Sequence, residues 1–315
     1  MFRIKVVNCM KYIKNIILSI LFSLLCFSSF ADGVIYPENS VLSTGKWYTV
    51  KVASDGVYKL TYNDFISLGF NSEEINFDNL SLYGNGGEEI ADINAEYKYS
   101  DLKEIAVYVN KNEKYVLFYA KSTTKTLYDL ERKEFSFSLH RFSDIATYFV
   151  TFDAAIGEKK RIQEFSAITE FDEEKSVAQD YIFHKRELLN LAERGDLWIG
   201  ESMMSTSPEL SIPLNLVNLE TSFPVKINVN VVGAVNATTS FDFSIAGEQL
   251  GVASVNPIGS ASLLARPVSF QKELNLNSMS NTLNIHFNGT NPSDRAWLDN
   301  VLVNYTKTLS FNNSY

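Results

Sequence analysis

Residues 295–305 read Arg-Ala-Trp-Leu-Asp-Asn-Val-Leu-Val-Asn-Tyr, an alternating pattern that is typical of a β-strand. Side chains two positions apart in a strand share a face, which here carries Trp297, Val301, Val303 and Tyr305. Asp299 belongs to the same row. A carboxylate in a core-facing row must be hydrogen-bonded or must bind a cation. We therefore expect Asp299 to accept hydrogen bonds from backbone amides of a neighbouring loop, or else to bind a structural Ca²⁺.

The rest of the C-terminal part repeats this pattern. Further strands are predicted at 211–216, 225–232, 240–246, 267–274 and 282–287. The loops between them are rich in Gly, Asn, Ser and Pro, which is typical of antiparallel sheets. Six such strands predict an antiparallel β-sandwich of jelly-roll kind over residues 201–311, followed by a short tail, 312–315.

The N-terminal part also predicts strands, with one short helix. Alternation over 47–52, then Asp55-Gly56, then 57–60 predicts a β-hairpin. Thr61 and Asp64 have the spacing of a shortened capping box, and Gly69 can end the helix that they begin. Other strands are predicted at 80–83, 105–109, 115–120 and 148–152. We thus expect a mainly β protein whose first domain, 32–157, is a β-rich α+β domain.

Between the two predicted domains the sequence becomes charged and loses its period. Residues 158–200 include four acids between positions 170 and 174, which favours a solvated connection. Tyr181, Leu188 and Leu191 are spaced seven and three apart, which predicts a partly helical segment ending near Gly195.

The first 31 residues have the pattern of an export signal. Lys11 and Lys14 precede an apolar run over 16–27, and Ser29-Phe30-Ala31 then suits cleavage before Asp32. The run is short of the roughly twenty residues that span a bilayer. A lipoprotein signal through Cys26 is disfavoured because the preceding residue, Leu25, is large. We expect a protein exported to the periplasm or to the outer-membrane surface.

Charge and cysteine content exclude several classes of function. The chain has 28 Lys+Arg and 37 Asp+Glu, a net charge of −9. Four of the bases and none of the acids lie in the first 31 residues, which leaves 24 bases against 37 acids, or −13, after cleavage. Such a surface repels nucleic acids and anionic lipids. Cys9 and Cys26 both leave with the signal, so the exported chain has no disulfide, no thiolate metal site and no cysteine nucleophile.

No catalytic, cofactor-binding or metal-ligating residues are assigned from the sequence. The run Gly84-Asn85-Gly86-Gly87 lacks the Lys-Ser/Thr of a phosphate loop, which favours a tight turn. The three histidines lie far apart in sequence: His140, His184 and His286. No Gly-x-Ser-x-Gly elbow occurs, and the acids cluster in turns and in the charged connection rather than as a pair suited to glycoside hydrolysis. The aromatic residues are interpreted as core, with a sugar-stacking surface as the alternative.

Short signatures in fixed order resemble the PorU family, the sortases of the Bacteroidetes type IX secretion system. They include Gly-Lys-Trp-Tyr-Thr-Val-Lys-Val at 45–52 and Leu-Tyr-Gly-Asn-Gly-Gly at 82–87. The remaining runs are 55–62, 68–70, 115–120, 128–129, 142–144, 183–184, 190–191, 195–198, 200–201 and 296–304. Lys185 and Asp196 depart from the pattern, since the family has an acid and a base at these two places. The resemblance therefore indicates a diverged member.

The resemblance implies a gingipain-like cysteine peptidase domain that cleaves sorting domains from secreted cargo and passes the cargo to a lipopolysaccharide anchor. This chain would be the non-catalytic N-terminal region of such a sortase, either as a fragment of a longer reading frame or as a natural truncation. Its partners would be its own C-terminal peptidase domain, other outer-membrane sortase components and secreted cargo. The alternative is a free-standing exported β-sandwich that binds glycans or cell-surface partners.

Overall fold

The computed structural model describes residues 36–310, except 88, 91–92, 94–98, 167–169, 172, 194–197 and 260–263. The predicted signal peptide, with Cys9 and Cys26, and the tail 312–315 lie outside the described residues. The structure is mainly β, as the sequence predicts, and divides into two compact units. Among the described residues, no helix is long and apolar enough to cross a membrane.

The first unit consists of the described residues up to Lys121 together with Ile145–Ile162. Its elements are β1 (Tyr48–Val52), β2 (Gly56–Thr61), α1 (Tyr62–Leu68), β3 (Ser81–Tyr83), β4 (Glu104–Ile105), β5 (Tyr108–Asn110), β6 (Tyr115–Ala120) and β9 (Ala146–Thr151). They form a four-stranded sheet, β1-β9-β3-β4, and a three-stranded sheet, β2-β6-β5. All strand pairs within these sheets are antiparallel. One hydrophobic core is built from both sheets and from α1.

Helix α1 begins and ends as the sequence predicts. The Thr61 side chain accepts a hydrogen bond from the Asp64 amide, and the Asp64 carboxylate accepts one from the Thr61 amide, which completes the capping box. Gly69 ends the helix in the left-handed region, with φ 110°. The helix buries Phe65, whose ring makes edge contacts with those of Phe70 and Phe152.

The hairpin predicted at Asp55-Gly56 is wrong. Strand β1 pairs with β9, and β2 pairs with β6, so the chain passes from one sheet to the other at this bend. Gly56 does not adopt the positive φ that a two-residue hairpin turn requires. Turn chemistry identifies where the chain reverses, but it does not determine which sheet edge the next strand joins.

The second unit consists of Ser122–Asp144 and the described residues from Gln163 onward. Its strands are β7 (Lys125–Asp129), β8 (Glu134–Ser138), β10 (Val177–Lys185), β11 (Leu189–Asn190), β12 (Trp198–Ile199), β13 (Ser202–Met204), β14 (Glu209–Asn215), β15 (Val225–Ala234), β16 (Thr239–Ile245), β17 (Glu248–Val255), β18 (Arg266–Leu274), β19 (Ser280–Phe287) and β20 (Arg295–Thr308). The order β10-β20-β15-β18, with β13 also on β20, forms one sheet, and β14-β19-β16-β17 forms the other. The large core of this sandwich is built from the inward rows of both sheets. The predicted C-terminal β-sandwich is therefore present.

The register predicted for 295–305 is wrong in its first half. Asn300 pairs with Asn230, whereas Leu298 pairs with Val231, so Asp299 is the extra residue of a β-bulge. An extra residue exchanges the two faces of a strand. Ala296 and Leu298 therefore share the sandwich core with three later residues, Val301, Val303 and Tyr305. Trp297 faces the other way and packs with Ile199 and Val232.

The helical segment predicted through Tyr181, Leu188 and Leu191 is also wrong. Residues 177–185 form β10, which pairs with β20 along its whole length. Its outward aromatic residues are covered by the β7–β8 hairpin, where the rings of Phe137 and Phe183 stack with centroids 4.3 Å apart. Three apolar positions cannot distinguish a helix from a strand whose outward face is covered by a distant hairpin.

The β7–β8 hairpin and β17 are not predicted from the sequence. The hairpin lies inside the predicted first domain, 32–157, but it belongs to the second compact unit. Its pairing is local, from Lys125 with Ser138 to Asp129 with Glu134. Its assignment to the second unit depends on contacts with strands more than forty residues later, which short-range patterns do not report.

Candidate functional site

The first-unit residues that carry the family resemblance contact one another. The rings of Trp47 and Tyr83 meet edge to face with centroids 5.4 Å apart, and Trp47 Nε1 donates a hydrogen bond to the Thr44 carbonyl at 2.7 Å. A Cβ atom on Gly45 would lie 2.3 Å from the Ile156 side chain. The glycine and the two aromatic residues of these separate signatures thus form one packed cluster.

Tyr48 of the signature 45–52 and Gly69 of the signature 68–70 contact each other. Tyr48 Oη donates a hydrogen bond to the Gly69 carbonyl at 2.6 Å, and the rings of Tyr48 and Phe70 pack with centroids 4.2 Å apart. A Cβ atom on Gly69 would lie 2.8 Å from Tyr48 Cε1. Glycine is therefore required here both by its positive φ and by the close approach of the ring.

The glycine-rich run 84–87 forms a turn, as expected from its flanks. It follows β3, and Gly86 and Gly87 have φ of 72° and 65°. Gly84 lies against the ring of Tyr148, where a Cβ atom would come within 2.5 Å of Cδ1. The Tyr148 hydroxyl both donates to the Lys121 carbonyl and accepts from the Lys121 amide, each at 2.8 Å. These contacts give the run a structural role in packing.

In the second unit, the signatures at 183–184, 200–201 and 296–304 meet beside β20. The Gly200 amide donates to the Leu298 carbonyl at 2.7 Å, and the Leu298 amide donates to the Glu201 carbonyl at 2.8 Å. His184 Nε2 lies 3.0 Å from Glu201 Oε1. Glu201 Oε2 is buried and has no hydrogen-bond partner among the described residues.

Asp299 makes different contacts from those that the sequence predicts. Its Oδ1 pairs with the Lys185 ammonium, and its Oδ2 accepts a hydrogen bond from Asn300 Nδ2 at 3.0 Å. The Lys185 side chain is 11% exposed and the Asp299 side chain 24% exposed, so the pair is largely shielded from water. Lys185 also donates to the Trp198 carbonyl at 2.7 Å. The departure from the family pattern at Lys185 thus supplies the partner of Asp299.

The acid that accepts hydrogen bonds from loop amides is Asp294, which lies five residues before Asp299. It is fully buried; its Oδ2 accepts from the amides of Thr290 and Asn291 at 3.1 and 3.0 Å, and its Oδ1 from that of Asn236 at 3.1 Å. Burial alone would raise the pKa of Asp294, but the backbone hydrogen bonds outweigh it and lower the pKa below the ordinary value of 3.8. The chemistry predicted for Asp299 is therefore found at Asp294. The signal was present in the sequence, since an Asp after Asn-Pro-Ser is typical of a turn that accepts amide hydrogen bonds.

The three histidines lie in three different places. His140, in the loop after β8, accepts hydrogen bonds at Nδ1 from the amides of Phe142 and Ser143, both at 3.0 Å. His286, on β19, lies opposite Glu209, and its Nδ1 is 2.5 Å from Glu209 Oε1. Within the described ranges, no group of three or more His, Cys, Asp or Glu residues is placed to hold a metal ion.

The tryptophans differ in exposure. Trp297 is buried, and Trp47 is half-buried against Tyr83. Trp198 is 37% exposed. The core interpretation therefore holds for Trp297.

The crystal structure of dimeric latent PorU from Porphyromonas gingivalis matches 87% of the chain with a TM-score of 0.72. The chain has a PorU-like fold. The two sequences are 18% identical over this match, and the chain covers 25% of the length of PorU. The likeness therefore concerns the fold and extends over most of the chain.

Other comparisons add no further relationship. No family model and no curated protein matches the sequence. A CBM36 domain of a xylanase from the hindgut metagenome of Trinervitermes trinervoides matches 39% of the chain with a TM-score of 0.27 and 12% identity, and this covers 96% of that domain. A carbohydrate-binding module CBM36 solved with calcium and xylotriose matches 32% of the chain with a TM-score of 0.24 and 11% identity, and this covers 76% of that module. These scores are too low to relate the chain to either module.

Proposed function

We propose that the chain is the N-terminal, non-catalytic region of a type IX secretion sortase, and that it supports the processing and surface attachment of secreted cargo. The observation that carries the proposal is the PorU-like fold across 87% of the chain. The ordered signatures support it independently, because their residues form the packing clusters of both units.

In this proposal the chain itself has no peptidase activity. A cysteine peptidase needs a thiolate, and after cleavage before Asp32 the sequence has none. Catalysis belongs to a separate gingipain-like domain, which would be the first partner of this region. Other outer-membrane sortase components and the cargo would be further partners at the cell surface.

The test is made in the organism that encodes the chain. The coding region downstream of the codon for Tyr315 is sequenced, and codons 36–308 are then deleted in frame. We expect a gingipain-like reading frame with Cys and His, and cargo that keeps its C-terminal sorting domain in the deletion strain, as measured by immunoblot and mass spectrometry.

Restoring the intact allele serves as the positive control, and an allele with Gly56→Ala serves as a matched variant that preserves the fold. Both should restore cargo cleavage and surface attachment. Normal cleavage and attachment in the deletion strain would contradict the proposed function, whatever the downstream sequence encodes.

A further inference from the structure

A groove of about 450 Å³ lies in the second unit, between the β7–β8 hairpin and the outer face of the sheet that contains β15, β18 and β20. Two contacts hold the hairpin over this face. Asn304 accepts a hydrogen bond from the Phe135 amide at 2.7 Å and donates one to the Phe135 carbonyl at 3.2 Å. Lys226 pairs with Glu134 at 2.6 Å. The hairpin therefore forms a fixed wall above the sheet.

Side chains on the neighbouring strands β18, β15 and β20 form rows across the floor of the groove. The polar side chains of the two outer rows are hydrogen-bonded. On one side, Ser269 Oγ donates to Asn230 Oδ1 at 2.6 Å, and Asn230 Nδ2 donates to Asn300 Oδ1 at 3.0 Å. On the other side lie Lys226 and Asn304, whose partners are on the hairpin. In these two rows, the side chains of Ser269, Asn230, Asn300, Lys226 and Asn304 all have protein partners.

The row between them is different. Asn228 lies on β15 directly opposite Gln271 of β18, and Ser136 lines the hairpin wall. In the part of the chain that the structure describes, Asn228 Oδ1 is buried without a hydrogen-bond partner, whereas the Gln271 and Ser136 side chains are exposed and open to the groove. A buried amide oxygen without a donor is destabilising, and a ligand that donates a hydrogen bond to it would relieve this penalty. Rotation of the Asn228 side-chain amide by about 180° around χ2 presents either its oxygen or its NH₂ group to the groove.

The charged residues around the groove indicate which net charge a ligand can have. Three bases, Arg132, Lys226 and Lys272, and two acids, Glu134 and Glu273, line it, which gives a net charge of +1 in a chain of net charge −9. A neutral or singly anionic molecule is therefore favoured over a cation or a polyanion. Hydroxyl groups both donate and accept hydrogen bonds, so a single sugar ring matches two amides and a serine better than a hydrocarbon does.

We propose that this groove binds a saccharide, with Asn228, Gln271 and Ser136 as the hydroxyl-binding residues. We name it the amide groove. The inference rests on the geometry of the second unit and is independent of the proposed sortase function, because it requires neither a peptidase domain nor a cargo protein.

The test uses the ¹⁵N-labelled full chain and four probes: maltotriose, xylotriose, triacetylchitotriose and trigalacturonate. We expect at least one of the three neutral probes to cause saturable shifts of the side-chain amide signals of Asn228 and Gln271. Gln271→Ala should weaken the binding of that probe about fivefold, which corresponds to the loss of one hydrogen bond of about 1 kcal/mol. Ser136→Ala should weaken it similarly.

Gln249→Ala is the matched control, because Gln249 is an exposed amide on β17 of the opposite sheet. It should leave the affinity unchanged. The proposal is overturned if no probe shifts the Asn228 and Gln271 signals at concentrations up to 10 mM. It is equally overturned if Gln271→Ala and Gln249→Ala affect binding to the same extent, or if an extended pentapeptide competes for these signals and the saccharides do not.

Discussion

Two aspartates at the start of β20 show how strongly the environment of a single residue depends on the backbone around it. Asp294 is buried and held by three backbone amides, whereas Asp299 lies in a β-bulge and pairs with Lys185. Both carboxylates are wholly or largely shielded from water, so both need partners. The first is stabilised by local loop amides, and the second depends on a side chain 114 residues away.

Asp294→Ala is expected to lower the free energy of unfolding by about 3 kcal/mol at pH 7, because it leaves buried amides without an acceptor. Asp294→Asn should cost less, since it keeps one acceptor oxygen. Urea denaturation measures both. The lowered pKa of Asp294 means that its stabilising effect is complete above pH 3.8 and is lost as the pH falls through the folded-state pKa.

The difference between the wild type and Asp294→Ala should therefore shrink below about pH 4. Glu248→Ala, which removes an exposed acid from β17, is the control and should change the stability by less than about 0.5 kcal/mol at any pH. A difference that is equally large at pH 3 and pH 7 would argue against the ionised form as the stabilising species.

For Asp299 and Lys185 we expect a coupling free energy of about 1–2 kcal/mol, more than an exposed ion pair provides, because both side chains are largely shielded. The measurement is a double-mutant cycle of Asp299→Ala and Lys185→Met by thermal and urea unfolding. EDTA should leave the melting temperature of all four proteins unchanged. A decrease with EDTA in the wild type alone would instead indicate a bound cation at Asp299.

At the scale of elements, single positions decide how strands and helices join. The bulge at Asp299 exchanges the faces of β20, and the bend at 54–56 moves the chain from one sheet to the other. Gly69 performs a similar function for α1. It ends the helix in the left-handed region directly beneath the ring of Tyr48.

Gly69→Ala should destabilise the first unit by about 2 kcal/mol, since it combines a strained φ with a close contact to Tyr48. Gly56→Ala is the matched control. Its φ is not positive and no heavy atom lies within 4 Å of the added Cβ, so the substitution should be neutral or slightly stabilising. Thermal melts that show equal losses for the two variants would refute this account of Gly69.

At the scale of the whole molecule, the predicted cleavage before Asp32 would remove both cysteines, which leads to one expectation. The exported chain should begin at Asp32 and should not hydrolyse peptides with basic or small P1 residues, with or without reductant. N-terminal sequencing and a fluorogenic peptide assay measure the two parts. A lipidated N-terminus, or turnover that depends on reductant in a homogeneous preparation, would contradict it.

Local signals in the sequence determined most of the elements. The capping box of Thr61 and Asp64, the helix end at Gly69 and the strand at 115–120 all lie where the pattern predicts them, because each depends on residues a few positions apart. The same holds for five sandwich strands, whose alternation reports one buried face: β14, β15, β16, β18 and β19. The turn at 84–87 follows from its own glycines.

Tertiary structure alone decided which strands pair, where β20 slips by one residue, and which acid the loop amides hold. The β7–β8 hairpin joins the second unit through Asn304, and Lys185 pairs with Asp299, over separations of more than a hundred residues. The periodicity of a sequence shows which face of a segment is buried. It contains no information about the partner strand, so register, bulges, ion pairs and the amide groove are determined only when distant segments pack together.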